Sequence, residues 1–429
     1  MSDKIQAIRG MNDILPQDTP KWQALEATMR QVLSSYGYDE IRTPIVESTN
    51  LFKRSIGDFT DIVEKEMYTF TDLNGDSLTL RPEGTASTVR ACIEHGLLHN
   101  QQQKLWYIGP MFRHEKPQKG RYRQFYQLGV EIYGFDGISI EAEMLLLCQR
   151  LWQKLDLLDD LVLEINSLGT IQERQSYIKL LTTYFQDHAY LLDEDSIRRL
   201  NRNPLRILDS KNPDMTEVIN NAPKLIDHLN EESKNHFAQL CAVLENVGIG
   251  YRVNPTLVRG LDYYNQTVFE WTTNLLGSQS TVCAGGRYDL LVEHLGGKQT
   301  TAMGFALGME RLILLQEVKQ KSLPSQRYPL IFFITTTDEA RVIALQLAEK
   351  LRTQFADESV IVSHVSTGLK SQFKKADKSQ AYLALIIGEE ELEQNTIGIK
   401  FLRKDEPQQV ISQNDLLQAV ANIIQQIEE

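Results

Sequence analysis

Two ten-residue segments, Lys104 to Arg113 and Gln124 to Tyr133, constrain the fold more than any other part of this chain. Both read as strands, and only His114 to Arg123 joins them. A second pair, Met67 to Asp72 and Ser77 to Arg81, flanks Leu73-Asn74-Gly75-Asp76, a hairpin signal. Hairpin after hairpin points to an antiparallel sheet with helices on one side, an α+β fold, rather than a doubly wound parallel sheet.

Side chains alternate across a strand, so Tyr107, Gly109, Met111 and Arg113 share one face. Phe125, Gln127, Gly129 and Glu131 share one face of the partner. The glycines are expected to leave room above the sheet for a ligand, with a cation, an amide and a carboxylate around it. A solvent-exposed sheet face is the alternative. The joining loop carries Lys116, Lys119, Arg121 and Arg123 against the single acid Glu115, which suits a triphosphate or a nucleic-acid end, unless it is simply a solvated charge run.

Around these hairpins, Trp22, Leu25, Met29, Val32, Leu33 and Tyr36 recur at three and four after Asp18-Thr19-Pro20, which predicts an amphipathic helix. Tyr38 to Val46 reads as one extended stretch whose Pro44 places it at an edge or a bulge. About 170–248 reads as a mostly helical insertion. Strands follow at Tyr251 to Val253, Thr267 to Trp271 and Ser280 to Cys283. Ala302 to Gln316 has helical character, and on a helix Gly304, Gly308 and Arg311 would share one face. Val318 to Pro329 is the linker candidate. Beyond it, strands at Tyr328 to Thr335, Val360 to Val365, Ala381 to Ile387 and Ile397 to Leu402 alternate in part with helices at Asp338 to Phe355, Lys370 to Lys378 and Asn414 to Ile427, a small α/β domain.

Charge and composition exclude other classes. Lys+Arg 45 against Asp+Glu 57 leaves −12, so a general DNA binder is excluded and any nucleic-acid contact must be a local patch. The start Met1-Ser2-Asp3-Lys4 lacks the basic start and apolar run of a signal peptide, and no apolar stretch approaches a membrane span; the expected place is the cytoplasm, with no membrane partner. Cys92, Cys148, Cys241 and Cys283 are too scattered for a disulfide framework or a zinc ribbon. Cys92, His95 and His99 share roughly one helical face, but a fourth ligand is missing, so no zinc or other resident metal is expected. A phosphate loop of the G-x-x-x-x-G-K-[S/T] type and a dinucleotide glycine fingerprint are both absent, so any nucleotide phosphates must be held by arginines.

The arginine-ended strand, its loop and Phe125 resemble motif 2 of class II aminoacyl-tRNA synthetases, and Gly304 to Arg311 is similar to their motif 3. Pro44, within Tyr36 to Glu47, resembles the dimer strand of motif 1. Leu257-Val258-Arg259-Gly260-Leu261-Asp262-Tyr263-Tyr264 and Ala284-Gly285-Gly286-Arg287-Tyr288-Asp289 resemble the histidyl-tRNA synthetases in particular, in their bacterial form. The resemblance runs from the amino terminus through the last domain. It implies a catalytic domain at 1–325 with its helical insertion, an α/β anticodon-binding domain at 326–429, and a homodimer.

It also implies a two-step reaction, in which L-histidine and ATP give histidyl-adenylate and pyrophosphate and the histidine then passes to the 3′ end of tRNA(His). By the resemblance, Arg113 and Arg259 are the catalytic cations at the α-phosphate. Arg121 and Arg311 hold the outer phosphates and the adenine face, Phe125 stacks on adenine, Glu115 belongs to the ATP site, and Mg2+ enters with ATP. Glu83, Thr85 and Gln127 take the histidine ammonium, while Glu131, Tyr263, Tyr264 and Tyr288 surround the imidazole. Gln118 and Lys116 are the candidate readers of the tRNA end. Lys370, Lys374 and Lys378 recur every fourth residue as a basic stripe for tRNA near the anticodon, or as an ordinary solvated helix face. A silent paralog that senses histidine as a regulatory subunit is the competing reading; such proteins usually lack the anticodon-binding domain.

Overall fold

The computed structural model describes residues 4–57, 60–200, 202–208, 210, 212–277, 280–320, 330–364 and 368–428. The chain divides into two compact units, Met1–Leu323 and Pro324–Glu429. Most of the expected linker, residues 321–329, lies outside the described residues, as does Val365 at the end of one expected strand.

In the first unit the strands are β1 (Asp39–Glu40), β2 (Val46–Ser48), β3 (Tyr68–Thr71), β4 (Ser77–Leu80), β5 (Gln103–Phe112) and β6 (Gln124–Tyr133). They continue with β7 (Val162–Ser167), β8 (Arg252–Val253), β9 (Asn265–Thr272), β10 (Thr281–Arg287) and β11 (Ala302–Gly308). Eight form one sheet in the order β1-β5-β6-β11-β10-β9-β7-β8, and β2-β4-β3 form a small second sheet. The large sheet is antiparallel from β5 through to β7, as the hairpins require; only its two edge pairs, β1 with β5 and β7 with β8, run parallel.

Alternation along β5 and β6 sorts the sheet into two faces. Trp106, Leu128, Val130 and Ile132 join a core with Leu25, Met29 and Leu33 of helix Thr19–Ser35 and with Leu145, Leu151 and Trp152 of helix Ile138–Lys154. The opposite face carries the polar set, with Tyr107 paired to Gly129, Gly109 to Gln127 and Met111 to Phe125. The segment 170–248 is helical, with helices Ile171–Asp187 and Glu231–Asn246 as its longest elements. It contributes Tyr177, Leu181 and Phe185 to a second core that includes Tyr263, Tyr264 and Tyr288.

Two expectations are overturned here. Tyr38 to Val46 is not one strand: it forms β1 and the start of β2, with Pro44, which has no N–H to donate, in the gap between them. Ala302–Gly308 is a strand rather than the first turns of a helix; the helix is Met309–Val318. Its i, i+4 glycines mimic a helix face, but β6 and β10 flank the segment on both sides and claim its backbone hydrogen bonds.

The second unit holds β12 (Ile331–Thr335), β13 (Val360–Val362), β14 (Leu383–Ile387), β15 (Thr396–Phe401) and β16 (Gln409–Ser412), in the order β13-β12-β14-β15-β16. The first three are parallel and the last two antiparallel. Strand β16 and the short helix Glu389–Gln394 add to the elements read from the sequence. Helix Leu369–Lys378 carries Lys370, Lys374 and Lys378 exposed, and Gln372 on its buried side clasps both backbone groups of Thr335. Among the described residues no helix is long and apolar enough to cross a membrane.

Candidate active site

The polar face of the sheet forms one cavity of about 260 Å³, reached by Arg113 just after β5, Phe125 and Gln127 from β6, Arg259 ahead of β9, and Arg311 after β11. Four arginines that are far apart in the sequence, Arg113, Arg121, Arg259 and Arg311, therefore line the same space. Each is aimed by a local partner. Arg113 Nε donates to the Pro82 carbonyl at 2.9 Å, and its guanidinium lies 5.3 Å from the centre of the Phe125 ring. Arg121 is ion-paired with Glu115, and Arg259 with Glu270. Arg311 donates to the carbonyls of Gly120 and Thr281.

The cations feel one another. Burial pushes the Arg311 pKa down, and Arg121 and Arg113 push it further; burial likewise lowers Arg113, with Arg259 adding to the effect. Burial also works against the Arg259 charge, but Glu270 and the neighbouring tyrosines outweigh it and its pKa is raised. A polyanion relieves such crowding, because one charged ligand can meet several guanidinium forks at once.

At the other end, Glu83 accepts the backbone N–H groups of Thr85 (2.6 Å) and Ala86 (2.9 Å), tying itself to the start of helix Thr85–Glu94. Gln127 Oε1 is buried and has no partner among the described residues, an acceptor placed for a ligand N–H. Tyr263 and Tyr264 stand ring to ring at 4.7 Å, and Tyr264 lies under the Arg259 guanidinium at 5.4 Å.

Glu131 and Tyr288 are placed differently from expectation. Neither is among the residues that line the cavity, and both are buried behind it. Glu131 accepts Thr85 Oγ1 at 2.7 Å, Tyr107 Oη at 3.2 Å and the Tyr288 hydroxyl, so its lone pairs face three protein hydroxyls instead of open space. Burial, against these hydrogen bonds, pushes its pKa up to about 8. The glycine gaps are also filled from within. A Cβ at Gly129 would lie 2.0 Å from the Tyr107 ring, one at Gly109 would lie 2.3 Å from the Arg81 guanidinium, and one at Gly304 would lie 1.9 Å from Glu131 Oε2. Space that the sequence suggested for a ligand belongs at these three positions to the protein's own side chains.

Several lining residues escaped the sequence reading. Tyr107 was placed on this face but given no role, although its ring, seated against Gly84 and Gly129, forms part of the wall. Glu270, Thr281 and Glu310 also line the cavity. Glu310 accepts the Tyr126 N–H at 2.8 Å, and burial pushes its pKa up to about 7. Its place directly before Arg311 was the available signal. Lys116 and Gln118 are exposed on the loop and do not line the cavity, and the backbones of Gln118 and Arg121 close the loop tip on each other. Among the described residues no three His, Cys, Asp or Glu side chains converge as a metal site; Cys92 is buried, and all four cysteines are free.

An antiparallel sheet bearing an arginine-lined cavity, with a separate α/β unit, is the architecture of a class II aminoacyl-tRNA synthetase. The family model described as histidyl-tRNA synthetase matches residues 10–312, and that of the anticodon binding domain matches residues 330–423. This chain belongs to the histidyl-tRNA synthetase family. It is 61% identical over 403 residues to the histidine–tRNA ligase of Legionella pneumophila strain Lens, covering 94% of this chain and 95% of the relative. The apo histidyl-tRNA synthetase of S. aureus superposes with a TM-score of 0.81 at 38% identity, over 97% of this chain and 99% of that one. An ATP phosphoribosyltransferase regulatory subunit/histidyl-tRNA synthetase from Bacillus halodurans, 22% identical with a TM-score of 0.63, shares the fold over 90% of this chain and 99% of its own.

Proposed function

We propose that one cavity carries out the reaction of this family, histidine–tRNA ligation, with phosphate chemistry at its arginine end and histidine held at its tyrosine end. The observation that carries this reading is the meeting of Arg113, Arg121, Arg259 and Arg311 around the same space that Tyr263, Tyr264 and Gln127 line.

In the first step a histidine carboxylate oxygen attacks the α-phosphorus of ATP and pyrophosphate leaves. In the second, the terminal ribose hydroxyl of tRNA(His) attacks the activated carbonyl and AMP leaves. Step one joins two anions and needs little proton transfer, so fixed cations and alignment supply most of the catalysis. Arg113 and Arg259 are assigned to the α-phosphate, and Arg121 and Arg311 to the outer phosphates, with Phe125 against the adenine. Glu115 takes part by orienting Arg121, to which it is paired.

The ammonium of histidine goes to Gln127 Oε1, Glu83 and Thr85. Glu83 keeps acceptor capacity beyond its two backbone hydrogen bonds, and Gln127 Oε1 has all of its own. The imidazole lies against the Tyr263–Tyr264 pair, and a ring N–H that displaces one hydroxyl from Glu131 meets that carboxylate, with Tyr288 holding its far oxygen. An apolar analogue would leave these groups unpaired, which is the basis of selection.

The donor set suits magnesium carried in by the triphosphate. Glu310 would hold the ion: its carboxylate is half-buried at the cavity wall, and desolvation raises its pKa, a cost that a cation offsets. The ion would neutralise charge on the phosphate oxygens.

Gln118 and Lys116 are exposed beside the cavity and are assigned to the tRNA end, with Lys370 and Lys374 assigned to its distant part. The anticodon-binding match over residues 330–423 speaks against the regulatory-subunit reading. The chain is further read as cytoplasmic and as a homodimer, the dimer being supported by the two-residue edge strand β1 and by exposed Ile45, Val46 and Phe70 beside it in sequence and on the small sheet. The deciding experiment is ATP–pyrophosphate exchange screened across the twenty amino acids, with exchange expected for histidine; no exchange with histidine overturns the proposal.

A further inference from the structure

The helical insertion grips the backbone of the histidine-reading loop. Helix Ile171–Asp187 begins with a reciprocal cap, in which Thr170 Oγ1 accepts the Glu173 N–H at 3.3 Å and Glu173 Oε2 accepts the Thr170 N–H at 2.7 Å. The Glu173 carboxylate also takes the Asn230 N–H at 2.7 Å and the Ser233 hydroxyl at 2.8 Å. The start of this helix is thus pinned to the start of helix Glu231–Asn246.

From that pinned turn, Arg174 donates Nη1 to the Tyr264 carbonyl at 2.6 Å and Nη2 to the Asp262 carbonyl at 3.2 Å. Both carbonyls precede β9 and lie outside any strand, so no ladder partner serves them. Asn203, also in the insertion, donates to Asp262 Oδ1 at 2.9 Å. From the other side the Asp262 N–H donates to the Ile56 carbonyl at 3.2 Å. A cation this close to a helix start opposes the helix dipole, and burial lowers the Arg174 pKa, with Asp262 as its opposing charge. Two carbonyls matched to one planar fork account for arginine here, since a lysine ammonium cannot reproduce that geometry.

We infer that Arg174 is a positioning residue for amino-acid activation: by bridging the Asp262 and Tyr264 carbonyls it holds Tyr263 and Tyr264 against the cavity, which gives the helical insertion a part in the first chemical step. Arg174 does not line the cavity, so it acts only through the loop. The inference rests on the assignment of Tyr263 and Tyr264 to histidine.

The test is ATP–pyrophosphate exchange without tRNA on the full chain, comparing wild type with Arg174→Met, Arg174→Lys and Asn203→Ala. Arg174→Met is expected to raise the KM for histidine on the order of tenfold, the scale of one lost charged hydrogen bond. The KM for ATP should stay within about twofold, because of the four arginines assigned to phosphate only Arg259 belongs to this loop, while Arg113, Arg121 and Arg311 come from other elements. Arg174→Lys should fall between the two, and Asn203→Ala should move the histidine KM in the same direction by less. An unchanged histidine KM, or an equal rise in both KM values, overturns the inference. If Arg174→Met fails to fold, Arg174→Lys and Asn203→Ala decide: a histidine-selective rise supports the role and an unchanged KM overturns it. A wild-type chain with no histidine-dependent exchange would instead overturn the function assigned to the cavity.

Discussion

The hydroxyl of Tyr288 donates to Oε2 of Glu131, 157 positions earlier in the chain, and the pair closes the floor beneath the cavity. Burial makes this carboxylate hard to ionise, and its pKa rises to about 8. The folded state therefore keeps a proton that the unfolded chain releases near its ordinary value of about 4.3. Stability must fall as pH climbs from about 5 to about 8 and level off above. Glu131→Gln cannot ionise and should lack this slope. Thermal melts of both proteins across that range test it, and a constant difference in Tm would contradict the titration.

Arg259 sits in the cavity wall against Glu270. Arg259→Ala is expected to lower kcat by about 100- to 1,000-fold, the cost of removing a fixed charge from the transition state, with little change in histidine KM. Pyrophosphate exchange at varied histidine measures both. Normal kcat with a raised KM would remove Arg259 from the chemical step.

Gly129 and Tyr107 share one volume. Gly129→Ala forces the new methyl group into the tyrosine ring, with an expected loss of about 1–3 kcal/mol in denaturant unfolding. Tyr107→Ala vacates that volume, so the double variant should cost less than the sum of the single changes. Strict additivity would mean that the two groups do not compete for space.

Lys370, Lys374 and Lys378 lie exposed on helix Leu369–Lys378. Replacing all three with Gln should weaken tRNA charging, make it less steeply dependent on salt than in the wild type because phosphate contacts are lost, and spare pyrophosphate exchange. Equal losses in both assays would refute a role confined to tRNA.

Local pattern was enough wherever local physics decides. The period-two alternation of residues 104–113 and 124–133 puts Tyr107 and Met111 on one face of their strand and Phe125 and Gly129 on one face of its partner; the register that pairs Tyr107 with Gly129 and Met111 with Phe125 comes from the fold. Helix Thr19–Ser35 followed from apolar spacing. Residues 302–308 misled for a related reason: glycines four apart satisfy a helix face as well as they satisfy a strand that must admit the Glu131 carboxylate beside it.

What the sequence by itself determined is the inventory: an antiparallel hairpin ending in arginine, a basic loop, a run of polar and glycine residues on one face, and the motifs that carry the family. Only the tertiary structure decided which of these groups meet a ligand and which meet one another. It set Glu131 behind Tyr107, filled the glycine gaps with Arg81 and Tyr107, and hung the Asp262 and Tyr264 carbonyls on Arg174 of the insertion. The physical reason is that such contacts join residues tens to more than a hundred positions apart, and periodicity along a chain records only the neighbours within a turn or a strand.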